Sequence, residues 1–195
     1  MGIVVAIDGP SGSGKSTVSK QVASRLGLAY LDTGAMYRAA AWWCEHEGVD
    51  LEDSEAVTRA VESMPLTMGV NPEAPGVVCG SEDIASAIRD PHIAAIVSKV
   101  ATNLDVRAEL ARLQREIIHS EAAGLHRAFS AGAGVVAEGR DITTVIAPDA
   151  DVRLLITASE EARLARRAAD LEAAGKHIDA AALRDQVVRR DQDDS

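Results

Sequence analysis

The sequence predicts a doubly wound α/β fold built on a parallel sheet. Three observations carry this. The run Ile3-Val4-Val5-Ala6-Ile7 is continuously apolar and β-branched, as strands covered on both faces are. Directly after it, Gly9-Pro10-Ser11-Gly12-Ser13-Gly14-Lys15-Ser16-Thr17 fits the phosphate-binding pattern G-x-x-x-x-G-K-[ST] without a departure. Strand-like and helix-like segments then alternate along the chain, the order that a right-handed parallel sheet requires. The runs 3–7, 29–32, 134–138 and 152–157 read as its strands, the last as a buried one.

The segment 17–26 places Val18, Val22 and Leu26 on one helical face, and Gly27 ends the pattern as a C-cap would. The glycine-rich loop therefore lies between a strand and a helix. Its glycines let successive N–H groups turn inward around phosphate oxygens, and the helix N-terminus adds partial positive charge there. In that reading Lys15 reaches the β- and γ-phosphates of ATP, and the Ser16 hydroxyl ligates Mg²⁺.

Residues 28–32 form a second short strand, and Thr33 opens a helix to about residue 46, with Gly48 as its stop. Arg38 stands in its first turns, where a cation opposes the helix dipole; this suggests that it serves an anion, the alternative being an ordinary surface arginine. Asp53-Ser54 caps a helix to about residue 63. Residues 65–70 and 76–79 are strand-like and joined across Asn71-Pro72, a small β-hairpin inserted into the α/β domain. Residues 84–89 read as a short helix. Asp90 as N-cap and Pro91 at N1 start another, to about residue 102. Asp105 caps a long helix to about residue 123. The strand 134–138 ends in Glu138, and Gly139-Arg140-Asp141 follow at its carboxyl end, where such sheets hold their ligands. Ser159-Glu160-Glu161 caps an arginine-rich helix ending near residue 175, and Asp179 caps a last one running into Asp194.

A length of 195 residues suits one domain with a small inserted lobe. Aromatic residues are 3% of the chain against 47% hydrophobic, so the core must be built from Ala, Val, Leu and Ile. A net charge of −10 argues against a nucleic-acid polymer as partner. No apolar run approaches the roughly 18 residues that span a bilayer, and no signal pattern precedes the first strand. The basic side is 16 Arg against 4 Lys, which reflects either compositional bias or bidentate phosphate binding. Cys44 and Cys79 lie far apart in no metal spacing, and read as reduced thiols of a cytoplasmic protein.

Several motifs together resemble one family, the bacterial cytidylate kinases, along the whole chain as far as it goes. They are IDGPSGSGKST at 7–17, LDTGAMYRA at 31–39, SEDIASAIRD at 81–90, SKVA at 98–101, EGRDITTVIAPDA at 138–150 and TASEEARLARR at 157–167, with RRDQDDS at the end. The resemblance implies transfer of the γ-phosphoryl group of ATP to CMP or dCMP with Mg²⁺, by a monomer that binds neither membrane nor nucleic acid. It implies a P-loop kinase core with a nucleoside-monophosphate-binding insert at about 63–102 and a mobile helical lid at about 159–179. Neighbouring readings are a shikimate-type P-loop kinase, which would lack the inserted hairpin, and a nucleotide-binding module without activity.

By the same resemblance, Thr33, Arg38 and Arg140 hold the acceptor's phosphate, Ser98, Arg107 and Asp141 read the cytosine edge, and Arg190 and Asp194 hold the ribose. Chemistry agrees in part. A carboxylate accepts from the cytosine amine, and arginine forks suit a dianion. Arg190 and Asp194 stand i, i+4, which on spacing alone is a surface ion pair. Ser98 alone reads as a helix-surface serine, and Asp141 alone as a cap. Arg163, Arg166 and Arg167 share a helix face; as lid arginines, Arg163 and Arg167 would stabilise the transferring phosphoryl beside Lys15 and Arg140. Glu138, with Ser16, is the first candidate for holding Mg²⁺, and Asp8 the second. The family pattern continues beyond Ser195 with a further strand, so the expectation is a sheet lacking its C-terminal strand, with 152–157 left as an edge.

Overall fold

The computed structural model describes residues 1–125 and 128–173. Its main sheet is parallel, from β1 (Ile3–Asp8), β2 (Ala29–Asp32), β6 (Gly134–Gly139) and β7 (Val152–Leu155), in the order β2-β6-β1-β7. The expected strands are all present, and β6 lies between β1 and β2. The register pairs Ile7 with Glu138 and Asp32 with Glu138, so the carboxyl ends of three strands bring Asp8, Asp32 and Glu138 to one rim.

The helices are α1 (Lys15–Leu26), α2 (Thr33–His46), α3 (Ser54–Glu62), α4 (Pro91–Ala101), α5 (Leu104–Ala123) and α6 (Glu160–Ala173). Gly27 ends α1 in the left-handed region, as expected. The apolar face read for α1 is corrected: Val18 is 40% and Leu26 60% exposed, while Ser19 and Ala23 are fully buried. Small side chains let this helix lie close on the sheet, so contact distance and not hydrophobic spacing chose its inner face. Asp53 and Asp90 cap α3 and α4 as read. The cap of α5 is Asn103, whose Oδ1 accepts from Asp105 and Val106 N–H; Asp105 is inside the helix. The helix expected from residue 159 to near 175 is α6, whose expected end lies outside the described residues, as does the last helix, expected from Asp179 into Asp194.

The insert is larger than a hairpin. β3 (Leu66–Met68), β4 (Val77–Cys79) and β5 (Glu82–Asp83) form an antiparallel sheet in that order. Only Ala87–Arg89 of the helix expected at 84–89 is helical, as a single 3₁₀ turn. The core is aliphatic and alanine-rich as composition required: Ala39, Ala40 and Ala41 are fully buried under the sheet with Leu31, Val135 and Leu110. Cys44 and Cys79 are both buried free thiols, and burial pushes the Cys44 thiol up to about 11.

The expectation of a buried last strand is also corrected. Among the described residues β7 pairs with β1 alone, Leu154 and Leu155 are 43% and 70% exposed, and the strand stops at Leu155. The edge itself was anticipated. No helix among the described residues is long and apolar enough to cross a membrane.

Candidate active site

The glycine-rich loop runs from the end of β1 to the start of α1. Gly12 and Gly14 have φ of 75° and 92°, a region other residues adopt only with strain. Gly14 is the N-cap of α1 and offers no side chain, so the first N–H groups of this helix have no cap from its own sequence. An anion is the natural partner for such a terminus. Gly9 has a different reason: a Cβ there would lie 2.2 Å from the Ile156 carbonyl oxygen.

Lys15 sits at the first turn of α1 among charges. Burial lowers its pKa first, and Arg140 lowers it further, with Arg38 adding to the effect; Glu138 and Asp32 act in the opposite direction. Three cations thus converge on one place. Ser16 Oγ donates to Glu138 Oε2 at 2.9 Å, and the Tyr30 hydroxyl donates to Glu138 Oε1. Glu138 is 1% exposed, and burial, then the charge of Asp32, raises its carboxyl pKa; the two hydroxyls and Lys15 limit that rise. Burial and then Glu138 likewise push the Tyr30 hydroxyl upward.

The structure therefore joins the two residues expected to hold Mg²⁺. The second candidate, Asp8, is engaged within the chain. Both oxygens of Asp8 are occupied by Ile142 N–H at 2.9 Å, Thr143 N–H at 2.8 Å and Thr143 O–H at 2.6 Å, where Asp8 caps the π-helical turn Ile142–Ile146. Among the described residues no group of three or more His, Cys, Asp or Glu could hold a metal. Mg²⁺ commonly uses one or two protein oxygens together with substrate phosphates, and Ser16 with Glu138 fits that pattern.

Arg38 Nη2 donates to Asp32 Oδ2 at 3.0 Å, while Asp32 Oδ1 caps α2 by accepting from Ala35 N–H at 2.9 Å. Asp32 thus supplies Arg38 with one anion from within the chain. Arg38 Nε is buried without a hydrogen-bond partner, so the guanidinium retains a donor. Thr33 Oγ1 donates to the Glu138 carbonyl at 2.8 Å, which ties α2 to β6 and commits its proton.

Arg107 Nη2 donates to Asp141 Oδ2 at 2.7 Å. Arg107 belongs to α5, and its Nη1 reaches back to the Ala101 carbonyl at 3.5 Å. Ser98 stands on α4, one turn before Ala101. Tyr37 senses both charges: burial raises its pKa first, Arg107 opposes and Asp141 adds. Asp141 does not cap the turn that follows it.

Helix α6 lies against the phosphate loop. Arg163 is 8% exposed, and its Nη1 donates to the Ser11 carbonyl at 3.5 Å. Arg166 Nη1 donates to the Gly12 and Ser13 carbonyls at 3.1 and 3.0 Å. The Arg167 side chain, Arg190 and Asp194 lie outside the described residues. Sequence reasoning missed Tyr30 and the contacts of Arg166. Tyr30 had a signal: it stands two residues before Asp32, on the same face of β2. Arg166 had none beyond its helix face.

A family model described as "Cytidylate kinase" matches residues 5–195. A cytidylate kinase of Streptomyces avermitilis is 42% identical over 193 residues, spanning 99% of this chain and 78% of that protein. One from Cutibacterium acnes is 45% identical over 194 residues, with 99% and 81% covered. A bifunctional pantoate ligase/cytidylate kinase of Synechococcus sp. (strain WH7803) is 46% identical over 198 residues, 98% of this chain and 37% of that protein.

Proposed function

Because the chain belongs to the cytidylate kinase family, and hence to the nucleoside monophosphate kinases, we propose that it moves the γ-phosphoryl group of ATP onto the phosphate of CMP or dCMP. The observation that carries this is the rim of the sheet, where Ser16 at the uncapped start of α1 bonds Glu138 at 2.9 Å and Arg38 bonds Asp32 at 3.0 Å. Lys15, Arg38 and Arg140 act there beside two carboxylates, one of which has its pKa raised by burial, and this favours highly charged anions. Two phosphate chains meeting end to end supply that charge.

On this reading Gly9, Pro10, Ser11, Gly12, Ser13, Gly14, Lys15, Ser16 and Thr17 cradle the ATP phosphates. Arg38 and Arg140 hold the acceptor phosphate, Arg38 through the donor that Asp32 leaves over. Thr33 serves mainly to fix α2 on β6, since its hydroxyl proton already goes to Glu138. The Arg107–Asp141 pair reads the base: the guanidinium steadies the carboxylate, whose second oxygen accepts from the 4-amino group. Ser98, Arg190 and Asp194 complete the acceptor site by resemblance. Residues 63–102 are the acceptor-binding insert and 159–179 the lid, whose Arg163 and Arg167 serve the transferring group by resemblance. Ser16 and Glu138 would hold Mg²⁺, which would supply positive charge against the ATP phosphates.

The nucleophile is a phosphate oxygen, anionic at neutral pH, so the protein needs no general base. Its residues bind, align and neutralise, and they exclude the water that would hydrolyse ATP. A coupled assay with ATP and CMP, dCMP, UMP, AMP or shikimate tests the reading. Turnover with the two cytidine nucleotides well above the others is expected; preference for any other acceptor overturns it.

A further inference from the structure

We propose that Arg166 is a positioning residue of the phosphate loop, one that holds the outward carbonyls of Gly12 and Ser13 so that the N–H of Gly14 is set inward for phosphate. The inference rests on the reading of 9–17 as the ATP site. It gives Arg166 a task different from that of an arginine on the transferring phosphoryl.

The geometry is a bridge over a flexible joint. Arg166 Nη1 donates to Gly12 O at 3.1 Å and to Ser13 O at 3.0 Å. It stands 3.5 Å from where a Cβ on Gly14 would be. A trans peptide is planar, and its C=O and N–H point in opposite directions. The Ser13 carbonyl shares its plane with the N–H of Gly14, the N-cap of α1, which offers no side-chain cap. A donor fixed on that carbonyl from outside turns the N–H towards the inside. The Gly12 carbonyl shares its plane with Ser13 N–H, which donates to Pro10 O at 3.2 Å, so that unit is held at both ends.

Without the guanidinium, Gly12 and Gly14 are the points where the loop rotates most freely, since glycine crosses between φ signs at little cost. The bond also polarises. A cation on a carbonyl oxygen makes the N–H of the same peptide a stronger donor.

Helix α6 is seated to make this possible. A Cβ on Gly12 would lie 3.1 Å from Arg163 O and 3.3 Å from Arg163 Cβ. Gly12 therefore serves twice, through its positive φ and through the close approach of α6. Arg163 anchors the helix at Ser11, and Arg166, one turn on, reaches the next two carbonyls of the loop.

An arginine acting through the loop affects the nucleotide before chemistry, whereas one on the transferring group affects the chemistry itself. The test measures Arg166→Gln beside Lys15→Ala. Readouts are the Kd of a non-hydrolysable ATP analogue and of tripolyphosphate, kcat at saturating ATP, KM for CMP, and the amide resonance of Gly14 in nucleotide-free protein. For Arg166→Gln the expected result is a Kd raised about tenfold, kcat within about threefold and an unchanged KM for CMP. The Gly14 amide shifts with no ligand present, and Arg166→Lys, which can set one ammonium on both carbonyls, recovers part of the affinity. A fall in kcat at unchanged Kd overturns the proposal in favour of direct contact with the phosphoryl group. No change in Kd, kcat or the Gly14 amide makes Arg166 a surface arginine. If instead Lys15→Ala retains affinity and turnover, the phosphate assignment of the loop fails, independently of Arg166.

Discussion

Ser16 Oγ donates to Glu138 Oε2 at 2.9 Å, joining the first turn of α1 to the penultimate residue of β6 across 122 residues of chain. The Tyr30 hydroxyl holds the other carboxylate oxygen from β2. The central carboxylate is thus fixed by two neighbouring elements and barely solvated.

Glu138→Gln tests what that carboxylate costs and what it does. Its folded pKa is raised, chiefly by burial and then by Asp32. The folded state therefore favours the proton, and ionisation at neutral pH works against folding. That penalty is relieved as pH falls through the raised pKa. Glu138→Gln is expected to melt higher than the parent at pH 7.5, with the difference shrinking towards pH 5. Its kcat is expected to fall by about 10²–10³, the scale of losing one charge-organising group. A lower melting temperature at pH 7.5 would show that the Ser16 and Tyr30 bonds outweigh the burial.

Lys15 should give nucleotide affinity an alkaline limb. Burial and then Arg140 hold its pKa below the usual lysine value, and only the protonated form attracts phosphate. Affinity for the ATP analogue is expected to weaken as pH rises through that lowered pKa, before ordinary lysines titrate. Titrating Kd from pH 7 to 10 checks it, with Lys15→Arg as the comparison in which the limb is absent. A flat profile in the parent would place Lys15 away from the nucleotide.

Asp141→Ala should erode discrimination between C and U. The expected loss is about 1–3 kcal/mol in the ratio of kcat/KM for CMP over UMP, one base-edge contact. The Arg107–Asp141 pair is partly exposed, with side chains at 41% and 22%, so the change in stability should stay within about 1 kcal/mol. Unchanged discrimination removes Asp141 from base recognition.

Gly139→Ala should destabilise through contact alone. A Cβ there would lie 2.5 Å from Thr33 Oγ1 and 2.8 Å from Ile142 Cδ1. The expected cost is about 1–3 kcal/mol, typical of forcing a methyl into a packed site. Circular dichroism melting should show a fall of several degrees. An unchanged melting temperature would mean that Thr33 and Ile142 yield freely.

The sequence by itself determined the local features. The β-branched run 3–7, the glycine-rich loop and Gly27 defined strand, loop and helix, because such elements follow from neighbours a few residues apart. Asp53 and Asp90 declared their helices for the same reason, and the motifs named the family. The tertiary structure decided what depends on strand order and approach distance. It chose Ser19 and Ala23 over Val18 and Leu26 as the inner face of α1, because a helix lying close on a sheet needs small side chains there. It engaged Asp8 with the turn at 142–146, since β1 ends beside the start of that turn. By placing β6 between β1 and β2, it put Glu138 between Ser16 and Tyr30. Hydrophobic periodicity and motif spacing record which residues share an element; which elements become neighbours is set by packing the whole chain at once.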